Sequence, residues 1–179
     1  MNSKGEDATV ADPKRQLQGS QAKAKGAAFE ARIEKSFAYY RAKGLAVITK
    51  EAEPMHPIKN LGNGKFIAYY ESKSKPDYSG CIKGGRMVCF EAKYTDALKI
   101  SYDRVKEHQA RYMSEVQEYG VRCFVLCGFR SGDAYRVPWY IWQRMKELYG
   151  RKYVVEDDLA KYKVPVGKDG TLFLLDDAR

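Results

Sequence analysis

Ile33, Phe37 and Tyr40 recur at helical spacing within residues 24–43, and Gly44 follows as a stop, so a helix is predicted there. Glu30 lies three residues before Ile33 on much the same face, which aims its carboxylate toward the core side of that helix. A short apolar strand is predicted at 45–50. Residues 78–83 and 86–94 both have strand character and flank Gly84-Gly85, a strong turn signal. On the second of these strands Val88, Phe90 and Ala92 share one face, while Cys89, Glu91 and Lys93 share the other. The apolar set can be buried as the two charged groups converge on one site. Ser101 is the candidate cap of a helix running to about residue 119, with Val105, Tyr112, Met113 and Val116 as its apolar stripe and Gly120 as its stop. The nearly continuous apolar run 121–129 predicts a strand covered on both faces. A short strand at 134–137, an aromatic helix through Trp139, Trp142 and Met145, and an edge strand at 171–175 complete the chain. This order predicts an α/β fold, a mixed β sheet flanked by helices.

Two segments break the pattern. Residues 1–22 mix Gly, Ser, Asp, Lys and Gln without apolar periodicity and read as a disordered basic tail. Residues 50–75 lose regularity through Pro54, Pro57 and the turn Gly62-Asn63-Gly64. That insertion carries Lys50, Lys59, Lys65, Lys73 and Lys75 beside Phe66, Tyr69 and Tyr70. Basic and aromatic residues together could insert into or beside a nucleic acid. An ordinary surface hairpin whose aromatics pack on the domain reads equally well from the same residues.

A length of 179 residues suits one domain with a tail, here residues 23–179 after the tail. The hydrophobic share of 44% is that of a globular protein, and no uninterrupted apolar stretch is long enough for a membrane helix. The first twenty residues lack the apolar centre of a secretory signal, so the default address is cytoplasmic. The formal charge of +9 favours polyanionic partners. Cys81, Cys89, Cys123 and Cys127 do not have knuckle spacing and read as buried reduced thiols rather than zinc ligands.

The candidate chemistry lies in Asp77 and Glu91-Ala92-Lys93. Two carboxylates on adjacent strands can bind a hard divalent cation such as Mg2+, which polarises a phosphodiester and lowers the pKa of a bound water. Lys93, on the face of Glu91, could orient that water or offset charge on the phosphate. Glu30 is a candidate for a further metal or water ligand. A turn of Gly84 and Gly85 alone is read as setting about Cys81 opposite Glu91, so bringing Asp77 to Glu91 demands curvature or side-chain reach. On the following helix Lys106 and Gln109 share a face, and Gln109 is a candidate for positioning phosphate or water. The competing view makes Glu91 and Lys93 a solvated pair and Asp77 a turn cap. His56 and His108 have weaker claims, and no serine or cysteine has a convincing base partner for covalent catalysis.

GAAFEARI at 26–33, GLAVITK at 44–50, PDYSG at 76–80, FEAKYT at 90–95 and RVKEHQARYM at 104–113 resemble the RecU-type Holliday-junction resolvases, within the PD-(D/E)xK nuclease superfamily. The ordered series covers roughly residues 26–145. The resemblance implies a restriction-endonuclease-like core and a homodimer that binds four-way DNA junctions and makes paired symmetric nicks, using Mg2+ or Mn2+. It implies a role in recombination and repair. Asp77, Glu91 and Lys93 match the catalytic acid, acid and lysine, Glu30 the helix glutamate and Gln109 the helix glutamine. The family's projecting stalk falls on residues 50–75, where Lys50, Lys59, Lys65, Phe66, Tyr69, Lys73 and Lys75 become candidate DNA contacts, with Lys106 on the later helix. Many members place threonine or serine before the aspartate, where this chain has Lys75-Pro76. A general restriction-like or repair endonuclease, or a non-catalytic nucleic-acid binding protein, are the alternatives.

Overall fold

The computed structural model describes residues 13–52, 55–70 and 75–175. The first helix, α1 (Pro13–Ala42), begins eleven residues before the predicted start. Proline at a first helical position leaves no unmet N–H, and the Lys, Gln and Ala that follow are good helix formers. Among the described side chains of this part none is buried and Leu17 is 60% exposed, so no apolar stripe announces it. Further along, Phe29, Ile33, Phe37 and Tyr40 are buried, and Gly44 ends the helical turn at φ +62°.

Five strands make the central sheet: β1 (Ala46–Lys50), β4 (Tyr78–Ile82), β5 (Arg86–Thr95), β7 (Arg122–Phe129) and β8 (Ala134–Pro138), in the order β1-β4-β5-β7-β8. The β5 and β7 strands run parallel and the other pairs antiparallel, so the sheet is mixed as the element order predicts. Between β1 and β4 lies a separate two-stranded sheet of β2 (Met55–Gly62) and β3 (Lys65–Tyr70). After β5 come β6 (Lys99–Ser101), a 3-10 turn at Tyr102–Arg104 and α2 (Glu107–Glu118). The chain closes with α3 (Trp139–Gln143), α4 (Met145–Tyr149), β9 (Tyr153–Val155) paired to β6, and a second 3-10 segment at Asp157–Tyr162.

Alternation along the strands divides the core into two layers. Val88, Phe90, Phe124 and Leu126 face α1, while Cys89, Val125 and Cys127 face the side that carries α2 and α3. A row of stacked rings ties three strands together on the α1 side: Tyr78 to Phe90 at 5.0 Å and Phe90 to Phe124 at 4.5 Å between centroids. Gly128 lets α1 approach the sheet, because a Cβ there would stand 2.7 Å from the Phe29 ring. Three cysteines are buried as expected, whereas Cys81 is exposed.

Register overturns one expectation. Ile82 pairs with Arg86 and Tyr78 with Phe90, so Lys83, Gly84 and Gly85 form a three-residue turn. Antiparallel partners keep a constant sum of residue numbers, and one further step places Asp77 across from Glu91. No curvature is needed, and the offset toward Cys81 does not exist. Gly84 and Gly85 sit at φ +91° and +86°, which L side chains rarely adopt.

Three other elements differ from the sequence reading. The predicted helix from Ser101 starts at Glu107 instead, because Ser101 pairs in β6 and Gln109 caps the later start by accepting the Lys106 N–H at 3.0 Å. Residues 171–175 form no strand but a buried plug. Ser36 Oγ and Tyr40 Oη accept the N–H groups of Leu172 and Leu175, each at 2.9 Å, in place of a ladder. Within the insertion, β2 and β3 form a hairpin whose register shifts between Pro57 and Lys59 and again between Asn60 and Gly62, and β2 is exposed along its whole length. Phe66 and Tyr69 remain 53% and 52% exposed, so these aromatics do not pack on the domain.

Candidate active site

Pro76 is buried and leads the chain into β4, which fixes Asp77 at the strand's entry. Glu91 stands in the middle of β5 on the face toward α2 and is fully buried. Two bonds tie Asp77 to β5: its N–H donates to Glu91 Oε2 at 3.1 Å, and its Oδ2 accepts the Ala92 N–H at 2.9 Å. Lys93 donates its ammonium to Glu91 Oε1, which also receives the Gln109 amide at 2.9 Å. The same Gln109 side chain caps α2, so one amide connects the helix start to the buried carboxylate.

Electrostatics follow from this packing. Burial pushes the Glu91 carboxyl up to about 7, with Asp77 adding to the rise and Lys93 opposing it. Two carboxylates side by side, one of them inside the protein, are costly without a cation. Their hard oxygen donors suit Mg2+, whose chemistry favours one or two carboxylates with water and substrate phosphate completing the shell. Asp77 and Glu91 therefore fit the metal the sequence reading implies.

The expected third ligand is elsewhere. Glu30 pairs with Lys50, Nζ to Oε2 at 2.6 Å. The reason is topological: α1 covers the face opposite Glu91, and Lys50 lies in the row of Tyr78 and Phe90. Among the described residues no group of three or more His, Cys, Asp or Glu side chains converges to hold a metal. Bonding to Glu30 raises the Lys50 pKa, so this candidate DNA contact is occupied by an internal acid.

The remaining predicted residues are scattered around this centre. Lys59, Lys65, Phe66 and Tyr69 sit on the exposed β2–β3 hairpin, where the Tyr69 and His56 rings lie 5.3 Å apart. Lys73 lies outside the described residues. Lys75 is exposed, with its ammonium 5.5 Å from the centre of the Tyr112 ring on α2. Lys106 is exposed at the start of α2. One acid escaped the sequence reading. Glu51 donates its N–H to the Asp77 carbonyl at 2.8 Å and accepts the Ser79 hydroxyl, which puts it in the cross-strand row of Asp77 and Glu91. Ladder arithmetic across β1, β4 and β5 is the signal that finds it.

Fold and site define a mixed-sheet α/β protein with an Asp–Glu–Lys centre. The family model for Recombination protein U matches residues 24–174, and the chain belongs to that family. It is similar to the Holliday junction resolvase RecU of Bacillus pumilus (strain SAFR-032), with 33% identity over 146 residues, 75% of this chain and 69% of that protein. The Holliday junction resolvase RecU of Streptococcus sanguinis (strain SK36) is 36% identical over 121 residues, covering 64% of this chain and 60% of that protein. A solved Holliday junction resolvase of Archaeoglobus fulgidus, Hjc, gives a TM-score of 0.45 at 12% identity over 83% of this chain and 99% of its own, too remote a likeness to add to the assignment. No described helix is long and apolar enough to cross a membrane.

Proposed function

We propose that the chain is a Mg2+-dependent endonuclease that resolves four-way DNA junctions by paired symmetric nicks. One observation carries the chemistry: Asp77 and Glu91 face each other across β4 and β5, with Lys93 and Gln109 both bonded to Glu91. Membership in a family whose relatives are named as junction resolvases supports the substrate.

Asp77 and Glu91 would hold the cation, which when bound polarises the phosphate and acidifies a water. Mn2+, with similar preference for oxygen donors, is expected to substitute. Gln109 keeps the Glu91 carboxylate aimed toward Asp77 by holding Oε1 from the helix side. Lys93, whose ammonium donates to Glu91 Oε1, offsets the charge of that carboxylate and would stabilise charge developing on the attacked phosphate. In the reaction a water oxygen bonds to phosphorus as one P–O ester bond breaks; one water proton passes to solvent and the leaving ester oxygen ends protonated as a free hydroxyl. Glu30, paired with Lys50, has no part in this scheme.

The β2–β3 hairpin supplies the structural selectivity in this reading. It is exposed, basic and aromatic, which suits insertion at an open junction centre. Two coordinated cuts on a two-fold symmetric junction are most simply made by a homodimer. A cytoplasmic location follows from that substrate. Purified protein with Mg2+ is expected to cut a synthetic four-way junction in preference to Y-shaped and duplex DNA of the same sequence. Equal cutting of all three would instead support a general endonuclease, and binding without cutting a non-catalytic DNA-binding protein.

A further inference from the structure

Arg104 closes the 3-10 turn Tyr102–Arg104, and its Nη2 donates to the Tyr94 carbonyl at 3.2 Å. Tyr94 follows Lys93 directly in β5, so this bond holds the guanidinium against the strand that carries Glu91 and Lys93. The turn itself is well fixed. The Tyr102 N–H donates to the Lys152 carbonyl at 2.9 Å, and the buried Val105 returns its N–H to the Tyr102 carbonyl at 3.3 Å. Cys127 gives an independent measure of place. It lies opposite Lys93 in the parallel ladder, and the rise that burial gives its thiol is opposed by the charges of both Lys93 and Arg104.

Arg104 is nevertheless exposed. A guanidinium carries five N–H donors in a rigid fork, and the Tyr94 bond accounts for one. Other cations complete a rim. Lys75, two residues before Asp77, is braced over the Tyr112 ring of α2, and Lys106 stands exposed at the start of the same helix. Lys75 therefore stands at the entry to β4, while Arg104 lies beyond the catalytic strand positions. From Glu91 to Tyr94 the strand advances about 10 Å.

We propose that Arg104 grips a phosphate neighbouring the hydrolysed one, through paired N–H donors, and so sets the register of the bound strand over Asp77 and Glu91. The inference rests on the nuclease reading above. Arginine suits the task because its planar fork matches two phosphate oxygens, which a lysine ammonium cannot do. Its role is positioning, since it holds the strand rather than the reacting atoms.

The test is the salt dependence of binding to a synthetic four-way junction, with Ca2+ replacing Mg2+ and wild-type, R104A and R104K full-length proteins compared. R104A is expected to bind about tenfold more weakly. Its slope of log K against log salt should be shallower by about one than that of wild type. R104K should keep the wild-type slope yet bind more weakly, because charge remains and the fork is lost. A purely structural arginine would lower Tm in R104A and leave the slope unchanged, and that result overturns the proposal. Failure of wild type to bind the junction at all would instead strike the nuclease reading.

Discussion

Gln109 and Glu91 are joined by a buried hydrogen bond of 2.9 Å, made by an amide whose carbonyl simultaneously caps α2 at Lys106. The carboxylate is thus oriented by a helix start, and the helix start is stabilised by a residue bonded to that carboxylate. Gln109→Ala breaks both links. Loss of the buried bond and of the cap is expected to destabilise the protein by about 1–2 kcal/mol. Cleavage should fall about tenfold or more in kcat with little change in KM, since the substrate surface is untouched. Thermal melts and single-turnover kinetics would check this, and a pure KM effect would mean that Gln109 contacts DNA rather than Glu91.

Because the Glu91 pKa is raised, binding of Mg2+ through this carboxylate is expected to depend on pH. An acid whose folded-state pKa is lifted from 4.5 to about 7 contributes stability fully below 4.5, and that contribution disappears as pH rises through 7. A cation that needs the carboxylate acts in the opposite sense, because it favours the deprotonated folded state. The gain in Tm on adding millimolar Mg2+ should therefore grow from about pH 5 to about pH 8. At subsaturating Mg2+ the cleavage rate should rise through about pH 7, and saturating Mg2+ should move that midpoint to lower pH. A Tm gain that is flat with pH would contradict the assignment of Glu91.

Lys93→Ala removes the cation that favours ionised Glu91. The midpoint of the pH–rate profile should then move above that of wild type, and the maximal rate should drop by about 100-fold. Lys93→Arg should restore the midpoint better than the rate, because it returns charge without the geometry of the ammonium.

Deleting residues 55–70 and closing the gap with a short Gly-Ser linker should leave the nuclease fold intact. The hairpin forms its own sheet, among the described residues it pairs with no strand of the central one, and β2 is exposed along its length. Tm should change by only a few degrees, as expected of surface changes. Preference for four-way over duplex DNA should collapse while Mg2+-dependent nicking remains. Retained preference would assign junction selectivity elsewhere.

Gly128→Ala tests the packing that keeps α1 on the sheet. A Cβ at this position meets the Phe29 ring at 2.7 Å, and overpacking of this kind costs about 1–3 kcal/mol. The substitution should lower Tm; an unchanged Tm would show that α1 has room to shift.

Much of this was legible because periodicity is a local property. The alternation of β5 separates Phe90 from Glu91, and the apolar run of β7 marks a strand buried on both faces; the structure has both. Asp77 and Lys93 stand beside Glu91 as the motif required. What escaped depends on distant partners. Ser101 looks like a helix cap until β9 claims it for a strand, and residues 171–175 look like a strand until Ser36 and Tyr40 satisfy their backbone. Helix phase aims Glu30 toward the core side, but only the pairing of Lys50 in β1 shows which acid meets which base.

The most direct measurement is cleavage of a four-way junction labelled on each strand, by wild type, D77N and E91Q, with Mg2+ and with EDTA. Wild type is expected to nick two strands at symmetric positions only when Mg2+ is present, while D77N and E91Q bind the junction and leave it uncut. Undiminished nicking by E91Q, or nicking by wild type in EDTA, would contradict an Asp77–Glu91 metal-dependent nuclease centre.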